Sequence, residues 1–169
     1  LTTLASRAVA AAAWDNRFEL NVDLEISPAD GARYRRPYVA VWLEDGDGVA
    51  VRTLALWFQQ DSKGPRWLPD LKRWYRDEKE RRVLNGGDLV KTVSSATRRP
   101  GSYSLVWNGR DDDGKAVSQG DYTLCIEAAR EHGTYQIIKS PIKIGTTPFT
   151  KNLEGNVEIQ SAKVAYRRK

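Results

Sequence analysis

Five side chains able to do chemistry fall within one short stretch of this chain: Glu127, Arg130, Glu131, His132 and Tyr135. Carboxylate, guanidinium, imidazole and phenol delivered together by a strand end can hold a metal, a haem or a phosphate-bearing ligand, with His132 as the pivotal group. The plainer reading, and the expectation, is a hairpin turn closed at Gly133 whose polar residues face water; a site would need partners from other loops. A second stretch, residues 92–99, gathers the small hydroxylated Ser94, Ser95 and Thr97 ahead of Arg98 and Arg99. By itself it reads as a Ser/Thr-rich connection from helix to strand. A third, Asp111-Asp112-Asp113-Gly114, clusters the oxygen ligands that hard cations prefer, but an EF-hand loop alternates its ligands and ends in a distant Glu. Tight-turn chemistry is the better reading, with Asp capping backbone amides and Gly114 at positive φ.

Other constellations are missing from the sequence. His132 is the only histidine, and there is no Gly-x-Ser-x-Gly elbow, no His-Glu-x-x-His and no P-loop, so no catalytic residue is assigned and no enzyme is expected. Cys125 is the only cysteine, which rules out an intrachain disulfide, a Cys-x-x-Cys pair and a four-cysteine zinc site. In mid-strand it reads as a small apolar core side chain, and no metal ligands are assigned. Lys and Arg number 27 against 22 Asp and Glu, a formal net charge of +5. The basic residues are spread along the chain. Residues 67–82, the nearest thing to a basic stripe, also carry Asp70, Asp77, Glu78 and Glu80, which marks a solvated helix face rather than a nucleic-acid surface. No run approaches the ~20 apolar residues of a membrane span.

Strands must position these groups. Residues 18–26 alternate strictly, with Phe18, Leu20, Val22, Leu24 and Ile26 on one face. Residues 38–43 and 49–58 form a hairpin around Glu44-Asp-Gly-Asp-Gly48. Trp67, Leu68, Leu71, Trp74 and Tyr75 then recur at three and four residues, predicting one amphipathic helix that Asn85-Gly86-Gly87 ends, with its aromatics as core beneath it. Strands resume at residues 103–107, 122–128, 134–138, 142–144 and 157–166. The fold class is therefore mainly β, an immunoglobulin-like sandwich of about eight or nine strands with one inserted amphipathic helix. Residues 15–169 are read as a single domain. Residues 1–14 are Ala-rich, with small residues at Ala8-Val9-Ala10 and Ala10-Ala11-Ala12, and read as a signal-peptide remnant or an N-terminal extension.

Trp107-Asn108-Gly109, Asp111 to Gly114 and Gly120-Asp121-Tyr122 resemble the matching elements of the immunoglobulin-like modules of the flagellar hook-capping protein. A second resemblance is broader. The succession of the Leu20 strand, Arg36-Pro-Tyr-Val-Ala-Val-Trp-Leu43, Trp67-Leu-Pro, Ser94-Ser-Ala-Thr97, Tyr103-Ser-Leu-Val-Trp107 and Arg130-Glu-His-Gly-Thr-Tyr135 is similar to the bacterial periplasmic family called domain of unknown function 2271. That resemblance implies a periplasmic protein, often encoded beside PepSY-type membrane proteins and flavin transferases that move FMN from FAD onto protein. It implies a non-catalytic accessory of a membrane-associated flavin-based redox or metal-handling system. The transferases' acceptor pattern ends in a small hydroxylated run, and Ser94-Ser95-Ala96-Thr97 resembles its last four positions, with covalent FMN on Thr97 and with Arg98 and Arg99 beside the phosphate. Lys91 stands where the pattern has Asp, and Ser95 where glycine is usual. The alternative is a structural protein-protein interaction module of immunoglobulin-like type.

Overall fold

Period-two alternation becomes two stacked sheets in the computed structural model, which describes residues 11–28, 34–131 and 133–169. The strands are β1 (Phe18–Ile26), β2 (Tyr38–Glu44), β3 (Ala50–Trp57), β4 (Ser94–Ser95), β5 (Gly101–Trp107), β6 (Gly120–Ala129), β7 (Tyr135–Ile144), β8 (Phe149–Leu153) and β9 (Ile159–Arg168). One sheet has the order β5-β1-β9-β8 and the other β4-β3-β2-β6-β7. Every pairing is antiparallel except β3 with β4. The fold is the expected β-sandwich.

Its main core lies between the sheets. Phe18, Leu20, Val22, Leu24 and Ile26 of β1 meet Val39, Val41 and Leu43 of β2 and Leu124, Ile126 and Ala128 of β6. The other face of the five-stranded sheet is covered as well. Tyr38, Ala40, Trp42, Leu56, Cys125 and Ala129 pack under Leu68, Leu71, Trp74 and Leu89 of the insertion. This is why β2 reads as an unbroken apolar run and β1 as an alternating one: β2 is buried on both faces. Burying each of those four insertion side chains is worth about 2 kcal/mol, which holds the helical layer in place.

The insertion is more than one helix. A 3-10 turn spans Gly64–Asp70, α1 spans Lys72–Asn85 and α2 spans Leu89–Val93. Pro69 lacks an amide proton and its ring obstructs a regular α-turn, so the first part stays in the tighter form and Leu71, at φ −77° and ψ 70°, restarts the chain. Residues 134–138 and 142–144, expected as separate strands, join as β7 with Pro141 inside it. β7 is a sheet edge, and there a missing N–H breaks no ladder on the open side. The short strands β4 and β8 lack any apolar alternation to announce them.

The expected N-terminal boundary also moves. Trp14 donates its backbone N–H to Val117 O at 2.9 Å, is 4% exposed, and stacks edge-on against Trp107 and Tyr166 at 4.9 and 5.5 Å. It belongs to the core, so the extension stops short of it; residues 1–10 lie outside the described residues. Gly109, at φ +79°, passes so close that a Cβ there would sit 2.0 Å from the Trp14 ring. The Asp111 loop is the turn that was expected. Asp111 Oδ1 accepts from Asp113 N and Lys115 N, both at 2.9 Å, and Gly114 has φ +83°.

Candidate functional site

Residues 127–135 do close as a hairpin, with Arg130 N donating to Thr134 O at 3.1 Å and Gly133 N to Arg130 O at 2.9 Å. The candidate polar residues do not share one space. Glu127 and Arg130 are an odd number of positions apart, so strand alternation sends them to opposite faces of the sheet. Glu127 points into the helical layer. It is fully buried, and its oxygens accept from Arg73 N at 2.8 Å, from Trp74 N at 3.0 Å and from the Tyr135 hydroxyl. These amides open α1, whose own N-cap residue, Leu71, supplies no side-chain bond. A carboxylate from β6 therefore caps the helix from a distance, satisfying orphan donors and meeting the positive end of the helix dipole. Burial and the hydrogen bond to Glu127 push the Tyr135 phenol above its ordinary range, keeping it protonated.

Arg130 lies on the other side, its Nε 3.0 Å from Glu158 Oε1, and the Thr134 hydroxyl donates to the same oxygen at 2.5 Å. Glu158 is 4% exposed. His132 lies outside the described residues. The geometry thus gives Glu127 and Tyr135 one task, anchoring α1, and Arg130 another, tying the β6–β7 turn to the chain before β9.

Buried polar groups continue around Glu127. Arg73 Nη2 is 3.0 Å from Glu44 Oε1, which also accepts from Trp42 Nε1 at 3.4 Å, and Trp74 Nε1 donates to Thr53 Oγ1 at 3.1 Å. Glu78 accepts from Leu89 N at 3.2 Å and from Arg81 Nε at 2.9 Å, opening α2 as Glu127 opens α1. Cys125 sits in this layer, fully buried, its thiol pushed above the usual range by burial and then by nearby Glu44. Among the described residues no three His, Cys, Asp or Glu side chains come together as metal ligands.

The hydroxyl run has a different setting. Ser94 and Ser95 pair with Leu56 and Trp57 as β4, and Ser95 O accepts from Phe58 N and Gln60 Nε2, both at 3.0 Å. Ala96 is exposed and Thr97 half-buried. Among the described residues nothing hydrogen-bonds to the Thr97 side chain. Arg98 turns back, donating to Ala96 O at 2.5 Å and Ser95 Oγ at 3.1 Å, and its guanidinium lies 4.9 Å from the Trp57 ring centroid. Asp88 is committed upstream, capping α2 through Val90 N at 3.0 Å and pairing with Arg82 at 3.2 Å.

One feature escaped sequence reasoning. β7 and β8 are the edges of their sheets, and between them runs an apolar groove of about 680 Å³ lined by Tyr122, Ile142 and Phe149 and rimmed by Lys143 and Lys151. Lys151 Nζ crosses it to Pro141 O at 2.7 Å. The pairing of β8 with β9 creates the groove, and residues 149–153, Phe-Thr-Lys-Asn-Leu, carry no strand pattern from which it could be foreseen.

No helix of the described residues is long and apolar enough to cross a membrane. Over 72 residues the chain is 29% identical to the basal-body rod modification protein FlgD of Salmonella typhimurium, and equally to that of Salmonella typhi. The match covers 42% of this chain and 30% of the length of each relative. The family model described as "Predicted periplasmic protein (DUF2271)" matches residues 19–161, from the first strand of the sandwich into the last, and the chain belongs to that family of predicted periplasmic proteins.

Proposed function

We propose that this protein is a non-catalytic periplasmic accessory of a membrane-associated flavin-based redox or metal-handling system, and that its specific form is a carrier of FMN on Thr97. The observation that carries this reading is the placement of the acceptor run. Ser94 and Ser95 are fixed against β3, while Ala96 is exposed and the Thr97 hydroxyl is uncommitted. A fixed approach, little bulk and a free nucleophilic oxygen are what an acceptor must offer to another enzyme. In the transfer, Thr97 Oγ1 bonds to the FMN phosphorus of FAD, the pyrophosphate bond breaks, AMP leaves and the hydroxyl proton passes to the transferase. No electron moves in that step. Arg98 is held over Trp57, so it shapes the acceptor loop, and Arg99, exposed, is left to meet the phosphate. The partners are a flavin transferase and a PepSY-type membrane protein. Co-export with a transferase should give a protein whose flavin fluorescence survives a denaturing gel; a colourless band would refute covalent carriage.

The second reading, a structural interaction module, is favoured by the groove between β7 and β8. Its occupant would be an extended strand of the PepSY-type membrane protein, laid between the two sheet edges with apolar side chains on Ile142 and Phe149. Replacing Thr147, an exposed residue of the groove lining, with Glu should abolish co-purification with that protein while leaving modification at Thr97 unchanged; undiminished co-purification would sink this reading.

A further inference from the structure

A smaller hollow of about 270 Å³ opens on the opposite side of β7, between its outer face and the first turns of α1. Lys72, Arg73 and Arg76 line it from α1, Lys139 from β7, and Tyr135 and Ile137 complete it. Tyr135, Ile137 and Lys139 alternate along β7, so all three present to the helical layer. Lys72 and Arg76 are one turn apart on α1 and reach the same space. Glu127 fixes where that helix begins, and so fixes how far its cations stand from Lys139.

The charges here are layered. Among the described residues no carboxylate lines the hollow. The acids nearby lie behind the cations: Glu44 and Glu127 are buried, and Asp77 is divided between Arg73 at 3.3 Å and Arg76 at 3.5 Å. Lys72 lies over the Tyr135 ring at 4.8 Å, and neither it nor Lys139 forms an ion pair among the described residues. Arg73 is paired with Glu44 and Asp77, and Arg76 shares Asp77, so the two lysines bring the unpaired charge to the concavity and Arg76, exposed, adds donors beside them.

The first amides of α1 are already taken by Glu127, so side chains alone make the site. We infer that this hollow binds a phosphomonoester. Two negative charges on one tetrahedral group match the two unpaired lysines better than a single carboxylate does, and its oxygens accept from several donors at once, the remaining N–H groups of Arg76 included. The volume exceeds a bare phosphate, and Tyr135 and Ile137 offer an aromatic and an aliphatic surface to the organic part of the ligand. This assignment is independent of carriage at Thr97, which stands on a different edge of the sheet.

The test titrates the full chain with phenyl phosphate, following backbone amides by NMR at constant ionic strength, and in parallel measures co-sedimentation with vesicles containing phosphatidic acid. Saturable shifts centred on residues 72–76 and 135–139 are expected in the first arm. Binding should weaken by about a hundredfold in the double variant Arg76→Gln, Lys139→Gln, because each of the two lost charge-assisted contacts is worth about tenfold. Both side chains are exposed, and an unchanged melting temperature will show that the variant folds; Lys139→Glu alone, which removes one contact and adds a repelling charge, should weaken binding by at least about tenfold. Binding confined to vesicles and lost in the variant would assign the phosphomonoester to a lipid headgroup. Absence of saturable binding in both arms, or binding that the variants leave unchanged, would overturn the site.

Discussion

Replacing Glu127 with alanine strips three donors of their acceptor at once: Arg73 N, Trp74 N and the Tyr135 hydroxyl. Each buried donor left unpaired costs about 1–3 kcal/mol. The Trp74 amide is buried and must bear its full cost, whereas the Arg73 amide and the Tyr135 hydroxyl are part-buried and can recruit water, so the sum is about 3–5 kcal/mol. That is a large share of the roughly 5–15 kcal/mol that stabilises a domain. Tyr135→Phe removes a single bond to a charged acceptor and should cost about 1–2 kcal/mol. Glu127→Gln keeps one acceptor but turns an amide donor toward other donors, and should fall between the two. Urea unfolding followed by tryptophan fluorescence reads all three as shifts of midpoint at constant slope. A double-mutant cycle of Glu127→Ala with Tyr135→Phe should show coupling of about 1 kcal/mol, since both remove the same bond. If both single variants cost under about 0.5 kcal/mol, the anchoring role is wrong and these residues are free for another task.

Three further outcomes follow from the same geometry. Burial raises Asp112 from 3.8 to about 6, against the hydrogen bond from Thr53 N that lowers it. The folded state therefore binds the extra proton between pH 6 and 4, and this group's contribution to stability grows as pH falls through that window. Asn keeps an acceptor for Thr53 N without the charge, so Asp112→Asn should stabilise at pH 7 by about 1–2 kcal/mol after allowance for solvent screening, with the gain fading toward pH 4; a gain that does not vary with pH would refute this. Gly109→Ala sets a Cβ against Trp14 at a positive φ, and should lower stability by about 3 kcal/mol or more in thermal unfolding, a loss below 1 kcal/mol being incompatible with the packing described. Cys125, fully buried with its thiol held protonated, should resist iodoacetamide until the protein is unfolded, and labelling of the native state would contradict its place in the core.

β1, with one face turned to the core, was legible in the sequence because alternation records a face, and β6, covered on both faces, still stands close to where its apolar residues put it. β4 and β8 were not, since two serines and a polar five-residue segment acquire strand geometry only from the neighbours they pair with. Pro141 divided β7 on paper because a proline interrupts most strands, and only its edge position makes it harmless. The helical layer showed its aromatics through their spacing but not its caps. Glu127 and Glu78 cap helices through first-turn amides 54 and 11 residues away, a relation no local motif can express. Glu127, Arg130 and Tyr135 were recognisable as unusual polar residues, yet their separation into two contacts on opposite faces needed the register of β6. The basic hollow was invisible for the same reason: Lys139 joins Lys72 and Arg76 only through packing of α1 on the sheet.

The proposed function rests on Thr97, and its mass tests it most directly. The protein should be exported to the periplasm together with a matching flavin transferase, in wild-type form and as Thr97→Ala, and the intact masses compared. Carriage at Thr97 requires one FMN added to the wild type, mapping to the peptide that carries Thr97, and none on the variant. An unmodified wild type, or a variant that still carries flavin, would contradict it.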